Sequence, residues 1–237
     1  RISKSYKNIV INKKKILVLI PARAGSKRLK DKNTRIINKK ELIDWTIEFA
    51  LKLKNIDKII VSSDSEAILQ KEKKFKDVVF LKREKYLSLD NTQIIEVIRD
   101  ILKNYQSIDY IIILQPTSPF RELLNTNNFI KQVVIKNQDS GFSAIEIKEN
   151  LLWSFKYKGN NIIPITKKFP KNTNKNNLDI FYRPSGEIYI AKANWIKKNK
   201  CLINKNSFFY ISKNPLFVDI DTKSDLDFAN FLALKRK

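Results

Sequence analysis

The chain contains no histidine and a single cysteine. Without histidine there can be no Ser-His triad, no imidazole general base and no histidine metal site. One cysteine, Cys201, can form neither an internal disulfide nor a cysteine-rich zinc site. A lone thiol fits a reducing compartment. If a metal acts here, carboxylates must hold it, which favours Mg²⁺ or a similar hard ion such as Mn²⁺. No apolar run of about 18 residues occurs, so no membrane helix is expected. No secretory signal is visible from Arg1 onward, and the expected location is the cytoplasm. Glycine is equally sparse where it matters. Between Pro21 and Asn33 only Gly25 is present. That excludes both the G-x-x-x-x-G-K-[ST] phosphate loop and the G-x-G-x-x-G dinucleotide fingerprint.

What is present is a globular chain of 237 residues, 43% hydrophobic, with a formal net charge of +23. The length allows one large domain, or one domain with a smaller subdomain. So basic a chain suggests nucleic acid. The lysines, however, spread over the whole sequence beside abundant asparagine and isoleucine, and no nucleic-acid-binding module is recognisable. An anionic small substrate would profit from the same field, so neither nucleic acid nor membrane is expected as partner.

The chain is organised around Leu17 to Asn33. Leu17-Val-Leu-Ile20 shows no alternation, as expected of a strand buried on both faces in a parallel sheet. Pro21 ends the ladder because it has no N–H to donate. The loop that follows carries Arg23, Lys27, Arg28, Lys30 and Lys32 around Gly25-Ser26. Small residues let backbone N–H groups approach an anion, and the cations supply counter-charge. At the carboxyl end of a strand this is a place for polyphosphate. A basic surface loop in a basic protein is the alternative.

Residues 1–15 read as a loose N-terminal arm. Helix is expected over 41–54 and strand over 58–64, with a short helix over 66–74 and a strand over 78–81. Asp90-Asn91 would cap a helix striped by Ile94, Val97, Ile98, Ile101 and Leu102. Tyr110 to Leu114 is another unalternating strand, stopped by Gln115-Pro-Thr-Ser-Pro119. A helix follows near 129–135. Alternation of this kind predicts an α/β fold with a mostly parallel, doubly wound sheet. After Gly141 the segments become short and aromatic: 142–147, 153–157, 162–165 and 181–191. They read as an inserted β-rich subdomain over about 141–200, with a lysine- and asparagine-rich loop at 167–177. Strand is expected again at 217–222, then a helix. Thr222 with Asp225 resembles a capping box. Asp219 and Asp221, two apart on an extended chain, face one side and need a cation or good solvation.

Four segments then stand in order: Ile20-Pro-Ala-Arg-Ala-Gly-Ser-Lys-Arg-Leu-Lys-Asp-Lys-Asn33, Leu114-Gln-Pro-Thr-Ser-Pro-Phe-Arg121, Arg183-Pro-Ser-Gly-Glu-Ile-Tyr-Ile190 and Val218-Asp-Ile-Asp-Thr222. Together they resemble the bacterial CMP-sialic acid synthetases, the acylneuraminate cytidylyltransferases, including those acting on legionaminic and pseudaminic acids. CMP-Kdo synthetases share the opening loop but differ at Gln-Pro-Thr-Ser-Pro. The resemblance implies a Rossmann-like nucleotidyltransferase domain over 16–237 and a homodimer built through the inserted subdomain. The implied reaction is CTP plus a nonulosonic acid giving CMP-sugar and pyrophosphate. Another sugar nucleotidyltransferase and a non-catalytic basic binding protein on the same fold are the alternatives.

The resemblance assigns CTP to Arg23, Gly25, Ser26, Lys27, Lys32, Asn33 and Arg83. The sugar falls to Gln115, Thr117, Ser118, Arg183 and Tyr189, and Mg²⁺ or Mn²⁺ to Asp219 and Asp221. Arg23, Lys27, Asp219 and Asp221 are the implied catalytic groups. Three departures stand out. Glu187 replaces the family's usual alanine and, placed near the sugar, would bear on substrate choice. Arg28 stands where glycine is common. Leu87 to Thr92 differs from the family's Ser/Thr-rich nucleotide loop.

Overall fold

A computed structural model of the chain describes residues 13–149, 151–166 and 179–235. The lysine- and asparagine-rich loop 167–177, and all of the N-terminal arm before residue 13, lie outside the described residues.

The strands are β1 (Ile16–Pro21), β2 (Ile36–Ile37), β3 (Lys40–Glu41), β4 (Lys58–Ser63), β5 (Val79–Lys82), β6 (Tyr110–Ile113), β7 (Ser140–Ile147), β8 (Phe155–Lys158), β9 (Asn161–Pro164), β10 (Phe181–Lys192) and β11 (Phe208–Ile211). The helices are α1 (Leu42–Leu51), α2 (Glu66–Leu69), α3 (Ile94–Asn104), α4 (Leu123–Ile135), α5 (Ala193–Asn199) and α6 (Lys223–Lys235). Seven strands form one sheet in the order β11-β7-β10-β6-β1-β4-β5. β1 lies parallel between β4 and β6, with Val18 opposite Ile59 on one side and Ile112 on the other. β10 alone runs against its neighbours.

The absence of alternation in β1 has a direct cause. Ile16, Val18 and Ile20 pack on one face of the sheet with Ile43 and Ile47 of α1 and Phe129 and Val133 of α4. Leu17 and Leu19 pack on the other with Ile98, Ile101 and Leu102 of α3 and Ile196 of α5. Each such side chain, fully buried, contributes about 1.5–3 kcal/mol. From β1 the chain moves one way to β4 and β5, then returns to place β6 on β1's other side. The crevice outside the carboxyl ends of β1 and β6 is therefore the topological switch point, where open α/β sheets bind ligands.

Several local expectations change. Helix α3 is capped by Gln93, not by Asp90-Asn91: Gln93 and Glu96 exchange side chain-to-backbone hydrogen bonds as a capping box. Helix α4 begins at Leu123, well before residue 129. α5 and β11 were not anticipated. Of the segment 141–200, β7 and β10 belong to the main sheet. Among the described residues of this segment, only β8 and β9 form a sheet of their own, a hairpin with Tyr157, Ile162 and Ile163 exposed.

The C-terminal carboxylates do not lie on a strand. Residues 217–221 carry no ladder, and the Ile220 N–H donates instead to the Thr117 carbonyl at 2.9 Å. The alternation survives because Val218 and Ile220 are buried, which turns Asp219 and Asp221 to the other side. The Thr222–Asp225 capping box forms reciprocally: the Thr222 N–H donates to Asp225 at 2.7 Å, and the Asp225 N–H to the Thr222 hydroxyl at 3.3 Å. Burial pushes the Asp225 carboxyl up. The hydrogen bonds from the Asp221 and Thr222 backbone and the Thr222 hydroxyl outweigh it and hold the group below its ordinary value.

Candidate active site

A cleft of about 620 Å³ opens at the switch point. The loop after β1 forms one wall, and Gln115, Pro116 and Thr117 after β6 form another. Asp219 and Asp221 line it as well, and so do Leu87, Leu89 and Asp90, which precede α3.

The loop after β1 is held by the end of β4. The Ala22 N–H donates to the Ser62 carbonyl at 2.9 Å, and the Ala24 N–H to Asp64 at 2.7 Å. The Ser63 hydroxyl donates to the Ala22 carbonyl at 2.6 Å. The Asn33 side-chain amide reaches the Arg23 carbonyl at 3.1 Å. Gly25 sits at φ +71°, in the left-handed region a side chain disfavours, and a Cβ there would meet open space. The glycine is needed for the turn, not for room. Arg83 is buried and donates to the Ser62 carbonyl at 2.8 Å and the Ser62 hydroxyl at 3.1 Å. Burial pulls its pKa down, Asp64 opposes this, and the neighbouring Arg23 adds to it. Asn33 and Arg83 thus brace the loop while lining the cleft.

Four cations of this loop are shared between two carboxylates. Arg23 and Lys27 both pair with Asp90, at 2.7 and 2.6 Å. The bonds from Lys27 and Arg23 hold the exposed Asp90 carboxyl below its ordinary value. Arg28 and Lys32 both pair with Asp221, at 2.8 and 2.9 Å.

Asp219 differs from its neighbour. Burial pushes its carboxyl up, the Thr117 hydroxyl opposes this, Asp221 pushes it further, and Lys32 and Arg183 lower it. A half-buried carboxylate beside another, with its pKa raised, is a group that a divalent cation would relieve. Among the described residues no group of three or more His, Cys, Asp or Glu gathers to hold a metal. Two carboxylates are sufficient for Mg²⁺ where water and substrate phosphates complete its oxygen shell. The pair fits such an ion.

Beyond Thr117 the wall is built by the bulge in β10. The register shifts between Pro184 and Tyr189, and Gly186 takes φ +84°. A Cβ at Gly186 would stand 3.2 Å from Gln115 Oε1 and 3.5 Å from Ser118 Oγ. The glycine therefore permits close approach of the bulge to the Gln115–Ser118 turn. Ser118 Oγ is buried and has no hydrogen-bond partner among the described residues.

Beneath both loops lies Arg121. It is buried and donates to the Gln115 carbonyl, to the Glu187 carbonyl at 2.5 Å and to the Thr46 hydroxyl at 3.1 Å. Burial pulls its pKa down to about 10, while the Glu187 charge opposes this. The Glu187 carboxylate accepts from Asn214 at 3.0 Å and from the Ser185 hydroxyl at 3.1 Å. It is 3% exposed and does not line the cleft. Glu187 consequently belongs to the support of the wall, not to its surface.

Of the sequence-predicted residues, Arg23, Ser26, Lys27, Lys32, Asn33, Arg83, Gln115, Thr117, Asp219 and Asp221 come together around one cleft. Gly25, Ser118, Arg183 and Tyr189 do not line it. Arg183 lies exposed on β10. Tyr189 is half-buried; burial raises its hydroxyl, with Asp219 adding and Arg183 opposing. These two therefore share the electrostatic neighbourhood of Asp219 without lining the cleft. Asp90 and Arg28 were not anticipated as partners of the cations and carboxylates. The one available signal was an acid, Asp90, in a segment that departs from the expected nucleotide loop.

A family model described as cytidylyltransferase matches residues 17–223. A CMP-N,N'-diacetyllegionaminic acid synthase of Legionella pneumophila is 35% identical over 225 residues, covering 89% of this chain and 93% of its own. A pseudaminic acid cytidylyltransferase of Campylobacter jejuni is 32% identical over 227 residues, covering 92% and 96%. Among solved structures, a CMP:2-keto-3-deoxy-manno-octonic acid synthetase complexed with CTP superposes with a TM-score of 0.70 at 17% identity, over 94% of this chain and 100% of the other. That likeness speaks for the fold.

Proposed function

Because this chain belongs to the cytidylyltransferase family, we propose that it activates a nonulosonic acid, converting CTP and the sugar acid to CMP-sugar and pyrophosphate. The observation that carries this reading is one cleft at the switch point of the sheet, lined by four loop cations and by the Asp219–Asp221 pair. Relatives that cover nearly the same length bear names specifying CMP-legionaminic and pseudaminic acid formation. Kdo, the substrate named for the structural neighbour, is supported only by likeness of fold at 17% identity.

In this mechanism Arg23 and Lys27 hold the triphosphate and the departing pyrophosphate, with Lys32 beside them. The pyrimidine faces Leu87, Leu89 and α3. The sugar acid lies over Gln115, Thr117 and the Gly186 bulge, where Ser118 has an unused hydroxyl. Asp219 and Asp221 would hold Mg²⁺ or Mn²⁺, which when bound supplies charge neutralisation at the phosphates. The sugar's anomeric oxygen attacks the α-phosphorus, and the bond to the β-phosphate oxygen breaks as pyrophosphate leaves. With no histidine in the chain, the hydroxyl proton goes to a carboxylate or to water. Positioning and charge account for most of the catalysis in such a transfer. A homodimer joined through the exposed β8–β9 hairpin belongs to the same reading.

Nucleotide choice tests it. With a nonulosonic acid present, pyrophosphate should be released from CTP and not from UTP, ATP or GTP. Release from another nucleotide at equal rate would refute the cytidylyl assignment. Arg23→Ala should weaken CTP binding measured by calorimetry about tenfold or more, because a lost charge-assisted contact is worth about 1.5–3 kcal/mol. A folded variant with unchanged affinity would remove Arg23 from the site.

A further inference from the structure

We propose that Glu187 is a positioning residue for the sugar acid. Its buried carboxylate fixes the β10 bulge against the Gln115–Ser118 turn, and so sets affinity for the sugar acid and not for CTP. The inference rests on the cytidylyltransferase reading and adds to it a residue that touches neither substrate.

The bulge cannot hold itself. The register of β10 shifts between Pro184 and Tyr189, and residues 185–188 pair with neither neighbouring strand. All four are buried, so their backbone groups need partners from elsewhere. Side chains supply them. The Ile188 N–H donates to the Ser143 hydroxyl at 3.1 Å, the Glu187 N–H to the Ser185 hydroxyl at 3.3 Å, and Arg121 donates to the Glu187 carbonyl. The Ser185 and Ser143 hydroxyls stand 2.5 Å apart. Glu187 Oε2 orients this pair by accepting from Ser185 at 3.1 Å. Its Oε1 accepts from the Asn214 side-chain amide at 3.0 Å, and the same nitrogen donates to the Phe120 carbonyl at 2.6 Å. One carboxylate thus joins three segments: the bulge itself, β7 through Ser185 and Ser143, and the turn after β6 through Asn214. A buried polar network in which every member is satisfied specifies one arrangement of its neighbours.

The position of the bulge is passed on at short range. Gly186, next to Glu187, lies against Gln115 Oε1 and Ser118 Oγ, and Gln115 lines the cleft. A bulge that shifts therefore displaces or uncovers the Gln115 side chain. The loop after β1 is held separately, by Ser62, Ser63 and Asp64 at the end of β4. The two halves of the site consequently answer differently to loss of the carboxylate. Glutamine can stand in for Glu187. Its carbonyl oxygen accepts from Asn214, and its amide donates to the Ser185 hydroxyl, which turns its own hydrogen to Ser143. Alanine reaches neither partner.

Steady-state kinetics of the full chain test this, with KM for CTP and KM for the sugar acid determined separately and thermal unfolding recorded beside them. Sialic, legionaminic and pseudaminic acids are offered in turn, and the one that wild type turns over fastest is used. Glu187→Ala should lower kcat/KM for the sugar acid about tenfold or more, chiefly through a raised KM, because a small misplacement of a positioning group is costly. KM for CTP should stay within about twofold of wild type, since uniform binding of the nucleotide is untouched. Glu187→Gln should stay near wild type. Asn214→Ala should show the same split, and the double variant with Glu187→Ala little more than either, because both changes break one network. If Glu187→Ala does not fold, the split in Asn214→Ala decides. A merely structural carboxylate predicts a lower unfolding temperature and a smaller active fraction, hence a lower kcat, with both KM values unchanged. That result would overturn the inference. So would equal rises in both KM values, a Glu187→Gln variant as impaired as Glu187→Ala, or effects at the two positions that add. Wild-type protein that releases no pyrophosphate from CTP with any of the three acids would refute the cytidylyltransferase reading itself, and the inference with it.

Discussion

Asp219→Asn should leave a folded protein whose turnover falls about a hundredfold or more, the usual cost of removing one preorganised charge-stabilising group. The substitution keeps size and hydrogen-bonding reach. It removes one anionic ligand from the pair and so weakens its hold on Mg²⁺. CTP should still dock, because Arg23, Lys27 and Lys32 belong to a loop braced independently by β4. Stability should not fall: the Asp219 carboxylate is already disfavoured by burial and by its neighbour Asp221. The expected pattern is thus wild-type unfolding, near-normal CTP affinity, a raised Mg²⁺ requirement and low kcat. Asp221→Asn should show the same loss of kcat, and the double variant little more, because two ligands of one ion act as a unit. A purely structural role predicts the reverse, a lower unfolding temperature with unchanged Mg²⁺ dependence per folded molecule. Thermal unfolding beside a Mg²⁺ titration of activity separates the two.

Arg121→Met should be the most destabilising single change at the site. It deletes three donated hydrogen bonds, to the Gln115 and Glu187 carbonyls and the Thr46 hydroxyl, and removes the positive charge that offsets that of buried Glu187. Leaving a buried acceptor unsatisfied costs about 1–3 kcal/mol, and the set should lower the unfolding temperature by about 5 °C or more in a chain of this size. Arg121→Met with Glu187→Leu should recover only the electrostatic part of the loss, since the two carbonyls still lack their donor. Activity should not recover with stability, because the guanidinium that joins the Gln115 turn to the β10 bulge is still missing. Equal unfolding temperatures for wild type and Arg121→Met would show that the buried guanidinium carries none of the stability assigned to it.

Much of this was legible in sequence where the signal is local. The unbroken apolar runs of β1, β4 and β6 report burial on both faces directly, and the Pro21 and Pro116 stops mark the carboxyl ends where the cleft opens. The alternation of Val218 and Ile220 with Asp219 and Asp221 was correct even though no strand forms there. What was not legible depends on distant pairing. β7 and β10 look like members of a small separate subdomain because they are aromatic and irregular. Their place in the main sheet is set by register between residues 189–192 and 110–113, which no local pattern encodes. Strand β11 is a four-residue edge with two exposed side chains, too short and too mixed to announce itself. The cation–carboxylate pairings are likewise long-range: Asp90 meets Arg23 across 67 positions and Asp221 meets Arg28 across 193. Glu187 was read as near the sugar because it stands where the resembled family carries alanine. The bulge turns it inward instead, to Asn214 and Ser185.

Product analysis tests the central claim most directly. The purified chain is incubated with CTP, Mg²⁺ and, separately, sialic, legionaminic, pseudaminic and Kdo acids, and the products are weighed by mass spectrometry while pyrophosphate is counted. The account predicts a CMP-linked product from at least one nonulosonic acid, formed in equal number with pyrophosphate, and little or none from Kdo. A CMP-Kdo product alone, or no CMP-sugar from any of the four while the protein is folded and binds CTP, would contradict it.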